Sequence, residues 1–297
     1  VVDTLTEQVY VDRTRAEQEL DRLSLAYLRG NKAAGAMGAE SASGLFELLR
    51  VPKDWFKGVA ITSQLVGPVS LGVYLTDEQQ RSLIYDPILL EALAHLLTLR
   101  IGWLSGQLAN LVEQSIICLD EPFLDAFNSP FLPIGWERGI ELLELVLSSA
   151  SGYRGIALGK IGHWQQMNRT PVYWEPVLET SVNLLMFNVY DQSDVLLDGA
   201  NVLKDFLDRP GLISWGLIPA NEQSLAKETT DTLTARFNGL LRKLSVAGVP
   251  RDRLLQASLI TTSGRLSHLP IEAAERALQL CSDVSLRIRL SYGLTNQ

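Results

Sequence analysis

Cysteine is scarce in this chain. Only Cys118 and Cys281 occur among 297 residues, far apart and each inside an apolar stretch. That pattern excludes a disulfide framework and any CxxC-type metal or redox motif, and it fits a reducing cytoplasm. Positive charge is also short, with 26 Lys and Arg against 34 Asp and Glu and a formal net charge of -8. The basic residues are scattered, so binding to nucleic acid is not expected. GxGxxG, GxxxxGKS and GxSxG strings are missing, which removes the usual support for a nucleotide-binding open sheet and for a serine nucleophile elbow. No long apolar run is free of charge. The most apolar stretch, Ile84 to Val112, contains Asp86, Glu91, His95 and Arg100, which would be costly in a bilayer, and it reads as a buried helix. His95 is read as a structural residue of that helix. The chain opens at Val1 without a basic n-region or an apolar h-region, so no signal peptide is expected, and a further N-terminal piece is expected to precede it.

What is present favours a large core. Hydrophobic residues make up 46% of the chain and charged residues 20%, enough apolar material for one domain spanning 1–297. The length suits a single α/β barrel, which commonly runs to roughly 250 residues or more. Thr14 to Arg29 carries Leu20, Leu23, Leu25 and Leu28 at helical spacing and stops at Gly30. A Gly- and Ala-rich loop follows to Ser43. From Gly58 onward, short β-branched runs alternate with helical patterns. The strand candidates are 58–65, 115–121, 155–162, 183–190, 212–218 and 257–263. Helices are expected at Ile88 to Leu111, Glu137 to Ser149, Val202 to Asp208, Gln223 to Ala247 and Ile271 to Arg287. Such βα repetition implies a parallel sheet covered by helices. With no phosphate-loop string present, a (β/α)8 TIM-type barrel lacking its N-terminal strand is the expected fold.

In such a barrel the chemistry gathers at the C-terminal ends of the strands. Those ends carry Gln64 followed by GPVS, Asp120 and Glu121 before Pro122, His163, Asn188 and Asp191, Trp215, and Ser263 before Gly264. Strand side chains alternate, so one carboxylate of the Asp120–Glu121 pair faces inward, and Asp120 is the choice. The pair reads either as a helix cap or as a ligand-facing group. His163 reads as a loop hydrogen-bonding residue or a pocket residue, and Trp215 as core packing or a stacking platform. Ser263 lacks His and Asp partners for covalent catalysis.

Taken in order, SQLVGPVSLG (63–72), ICLDEPFL (117–124), the His163 region, LISWGLIPAN (212–221) and LITTSGRL (259–266) resemble the strand-end motifs of the cobalamin-independent methionine synthase and uroporphyrinogen decarboxylase-like barrel superfamily. The resemblance spans about Gly58 to Leu290. It implies that Asp120 takes the amino group of an amino-acid ligand such as homocysteine. It also implies a zinc site, and here the pattern breaks: the family's HxC reads His163, Trp164, Gln165, its Glu falls on Asn188 and its late Cys on Ser263. With His163 the one retained ligand, tight zinc binding is not expected. The family's proton-donating His is unmatched at Ile218 and Pro219. The resemblance therefore implies a small-molecule (thiol or amino-acid) methyltransferase lacking most zinc ligands. The alternative is a binding barrel that has lost methyl transfer. No cofactor is assigned; a folate or corrinoid methyl donor is compatible with the family. The expected partners are a small-molecule ligand and, if the family pattern holds, a corrinoid protein or a second copy of the chain; no membrane is expected. Asp120, Glu121, Gln64, His163, Trp215, Asn188 and Ser263 form the candidate ligand set.

Overall fold

A computed structural model of the chain describes residues 10–128, 132–158, 172 and 174–294. By packing, the chain divides into two compact units. Of the described residues, one takes those up to Ala157 together with 172 and 174–182, and the other takes Leu158 and 183–294.

The first unit contains β1 (Tyr10–Val11), α1 (Arg13–Leu28), α2 (Ser43–Leu48), β2 (Ala60–Val66), α3 (Pro68–Tyr74), β3 (Thr76–Asp77), α4 (Pro87–Ala109), β4 (Gln114–Glu121), α5 (Trp136–Leu147) and β5 (Tyr153–Leu158). β1 and β3 form a small parallel pair of their own. β2, β4 and β5 lie side by side in that order. β2 and β4 run parallel in unbroken register from Ala60 opposite Gln114 to Val66 opposite Asp120. The apolar stretch read as a buried helix is α4. Asp86 caps it by accepting from the backbone N–H of Ile88 and Leu89, and Pro87 opens its first turn, where a missing N–H costs nothing. α4 is long and apolar enough to cross a membrane by length and composition, yet 56% of its most apolar window is buried inside the protein. Leu90, Leu97, Ile101, Leu104 and Leu108 face the core, where each buried side chain contributes about 2 kcal/mol relative to exposure. His95 lies on the outer side of α4, stacked on Tyr27 of α1 at 3.8 Å between ring centroids.

The second unit contains β6 (Leu184–Phe187), α6 (Asp194–Asp198), α7 (Ala200–Asp208), β7 (Leu212–Ile218), α8 (Glu222–Leu225), α9 (Thr230–Val246), α10 (Arg251–Gln256), β8 (Ser258–Thr262) and α11 (Ile271–Ser291). β6 pairs with β7 and β7 with β8, both parallel. Phe187, Trp215, Leu217, Leu233, Phe237 and Leu241 are buried in this unit, as the near-continuous apolar runs of its strands require. Both units are therefore of the mixed α/β class, with parallel strands covered by helices.

Three elements differ from the sequence reading. The single helix expected from Gln223 to Ala247 is two, α8 and α9. Asn221 caps α8, and the chain then breaks so that Glu228 can turn inward before Thr229 and Thr232 form a reciprocal capping box that restarts the helix. The strand expected over 183–190 is only Leu184–Phe187, because Val189 and Tyr190 both donate their backbone N–H to the Gly216 carbonyl at 3.1 Å and leave the strand direction. The strand expected over 155–162 begins earlier, at Tyr153, and its last four residues lie outside the described residues.

Candidate functional site

In the first unit the ends of β2 and β4 bring Gln64, Cys118, Asp120 and Glu121 together. Register pairs Gln64 with Cys118 and Val66 with Asp120, and paired residues of parallel strands point to the same face. Gln64, Cys118 and Asp120 therefore share one face, and Glu121 lies on the other. The two neighbouring carboxylates meet opposite environments. Glu121 has no exposed surface, whereas Asp120 is half-buried.

The buried environment of Glu121 is built by the GPVS string. Pro68 opens α3, and Gly67 lets the helix start press against the carboxylate: a Cβ at Gly67 would stand 2.1 Å from Glu121 Oε1. The backbone N–H of Val69 donates to Oε1 at 3.1 Å and that of Ser70 to Oε2 at 2.7 Å. These are two of the donors that the first turn of a helix leaves unsatisfied. The Ser70 hydroxyl bonds to Glu121 as well and accepts from the Phe123 N–H at 3.1 Å. The Gly67 N–H in turn donates to the Asp120 carbonyl at 3.0 Å. Burial pushes the Glu121 carboxyl up to about 7, the hydrogen bonds from Ser70 and Val69 pull it back, and the charge of Asp120 adds to the rise. The Asp-Glu-Pro string thus holds a helix cap at Glu121, for the helix that precedes it in the chain. Burial also pushes the Cys118 thiol up to about 12 despite a hydrogen bond with the Gln64 side chain, so this cysteine is a neutral packing group and not a nucleophile.

In the second unit Asn188 and Ser263 directly follow β6 and β8, whereas Trp215 lies in the middle of β7 and not at its end. Trp215 has no exposed surface; its indole N–H donates to Ser258 Oγ at 2.7 Å and its ring meets Phe237 of α9 edge-on at 5.9 Å between centroids. This is the core-packing placement. Asn188 is half-buried and exchanges two hydrogen bonds with Asp191: its amide donates to Asp191 Oδ2 at 3.0 Å, and the Asp191 N–H donates to Asn188 Oδ1 at 3.2 Å. The Ser263 N–H donates to the Ile218 carbonyl at 2.7 Å, and Ser263 Oγ accepts from the Ala220 N–H at 3.2 Å. Asn188 thus braces a local turn, and Ser263 ties the end of β8 to the segment that follows β7. His163, the single retained ligand of the family zinc pattern, lies outside the described residues, as does Gln165. Among the described residues no three His, Cys, Asp or Glu side chains gather in a way that could hold a metal ion.

Sequence reasoning missed one further cluster in this unit. Glu228, only 7% exposed, accepts from the Tyr190 hydroxyl at 2.8 Å and from Arg236 at 3.3 Å, and it bonds to the Thr232 hydroxyl. The Arg236 guanidinium also lies over the Tyr190 ring, 4.5 Å from its centroid. Burial works to raise the Glu228 carboxyl, but bonds from Thr232, Tyr190 and Arg236 outweigh it and the net shift is downward. Glu228 is therefore a satisfied structural anion. No short motif announces it, because Tyr190 lies far from Glu228 and Arg236 in sequence.

No protein-family model matches this sequence, and no curated protein matches it.

Proposed function

We propose that this protein is a methionine-synthase-like (β/α)8-type barrel protein that binds a small amino-acid or thiol ligand at its strand ends, with Asp120 accepting the ligand's amino group. The observation that carries this reading is the division of labour in the Asp120–Glu121 pair. Glu121 is consumed in capping α3, which fixes the backbone at the end of β4, and Asp120 stands on the opposite face beside Gln64 and Cys118. A carboxylate at a strand end, held by a rigid neighbour, suits recognition of an ammonium group. In this reading the ligand-bearing protein works in the cytoplasm, and a folate or corrinoid donor would supply any methyl group.

Zinc does not fit the side chains that stand at the family's metal positions. Asn188 and Ser263 are neutral, hard ligands already engaged in hydrogen bonds with Asp191 and the Ala220 N–H, and they supply neither the charge nor the softness of thiolates. The same observation favours a second reading, a binding barrel without methyl-transfer chemistry.

Calorimetric titration of homocysteine and of methionine into the full chain tests the proposal. Asp120→Asn is expected to weaken binding by about tenfold or more, since a charged hydrogen bond is worth roughly 1.5–3 kcal/mol. Binding that is unchanged in the Asp120→Asn protein would remove Asp120 from the site. Absence of any binding would remove the ligand class.

A further inference from the structure

A groove of about 640 Å³ runs between α1, the 3-10 turn at Lys32–Gly35 and α4. This is within the range of roughly 300–1,000 Å³ typical of small-molecule sites. Its floor is apolar, formed by Leu23, Ala26 and Leu96, and none of the residues of α1 is fully buried. Arg22, Arg29 and Asn31 stand among the lining residues with a single acid, Glu19, which Arg22 engages at 3.4 Å. One turn beyond Leu96 on the same face of α4 lies Arg100, whose guanidinium Nε is buried without a hydrogen-bond partner; burial alone lowers its basicity. Lys32 sits at the adjoining turn, its methylenes near Gly102. In a chain of formal net charge -8 this is a local reversal of sign.

The helix end that borders the groove is the negative end of α1, and its charge is partly taken up by the chain itself. The carbonyls of Leu25, Ala26 and Tyr27 accept from the backbone N–H groups of Arg29, Asn31 and Gly30 at 3.1, 2.9 and 2.9 Å, with Gly30 at φ 61° making the turn. Two of the last-turn carbonyls, those of Ala26 and Tyr27, are thus occupied, and the Arg29 guanidinium offsets the remaining negative end of the helix. The turn is also held in place. Gly35 approaches α4 so closely that a Cβ there would lie 2.3 Å from the Arg100 nitrogen and the Leu99 carbonyl carbon, so the groove has a fixed wall.

We propose that this groove binds a free amphipathic carboxylate, its apolar tail on Leu23, Ala26 and Leu96 and its carboxylate on Arg29. An apolar floor and an excess of guanidinium groups with too few carboxylates to pair them are the complement of that ligand class. The site is independent of Asp120.

The test is calorimetric titration of the full-length protein with dodecanoate below its micelle concentration, with dodecanol as the uncharged control and with phosphatidylglycerol vesicles as a membrane control. The expected result is saturable binding of dodecanoate, at least about tenfold weaker binding of dodecanol, and at least about tenfold loss of dodecanoate affinity in Arg29→Glu, the size expected for one charge-assisted contact. Arg29 is exposed, and a melting curve matching the parent would show that the variant is folded. Filling the floor with Ala26→Phe is expected to reduce binding without reversing charge. Equal affinity for acid and alcohol, full affinity in Arg29→Glu, or recruitment to vesicles without uptake of monomeric dodecanoate would each overturn the proposal.

Discussion

At Glu121 a carboxylate is at once buried and bonded to a helix start, and the two effects act on its proton in opposite directions. Its folded value, about 7, lies above the ordinary 4.5. A group shifted this way adds stability that is complete below pH 4.5 and is lost as pH rises through 7, because at neutral pH the folded chain must hold the charge in its core. The shift corresponds to roughly 3 kcal/mol between those limits. Glu121→Gln, which cannot ionise, is expected to flatten this part of the stability-versus-pH profile measured by denaturant unfolding. An unchanged slope would mean that another group carries the dependence. The thiols give a second prediction. Burial raises Cys118 to about 12 and Cys281 to about 11. Iodoacetamide at neutral pH is therefore expected to label neither cysteine in the folded protein and both after unfolding. Rapid labelling of Cys118 in native protein would contradict its buried place in β4.

Among the elements, close approach governs what the chain tolerates. Gly67 and Gly35 both have ordinary negative φ, so they are needed for space and not for conformation. At Gly67 the obstacle is a buried side chain fixed by two backbone donors; at Gly35 it is the α4 backbone itself, which cannot turn aside. Gly35→Ala is therefore expected to destabilise by about 2 kcal/mol or more, and more than Gly106→Ala in α4, where an added Cβ meets nothing. Thermal melts of the two variants compare them directly, and equal melting temperatures would refute the close packing of the Lys32–Gly35 turn on α4. The restart of α9 depends on its capping box, so Thr229→Ala is expected to cost about 1 kcal/mol.

The six strands of the βα pattern were legible because each is a β-branched or apolar run bounded by polar turns; β7 falls at the expected 212–218, and β4 and β8 agree to within a residue or two at each end. The α8–α9 break was not legible, since Glu228 is drawn inward by Tyr190, a partner remote in sequence, while the apolar spacing runs on through the break. The strand-end residues were legible as positions and not as roles. Alternation separated Asp120 from Glu121, but that Glu121 caps the preceding helix depends on where GPVS packs, a tertiary fact. Likewise the indole of Trp215 finds its partner at Ser258, 43 residues on.

For the molecule as a whole, we propose a barrel-type protein that takes an amino-acid ligand through Asp120 without a zinc-held thiolate. The most direct measurement is the metal content of the purified full-length protein together with homocysteine titration with and without added zinc. No stoichiometric zinc is expected, and homocysteine is expected to bind with the same affinity in both titrations. Stoichiometric zinc with thiol binding that depends on it would contradict the account and identify a working metal-dependent methyltransferase site.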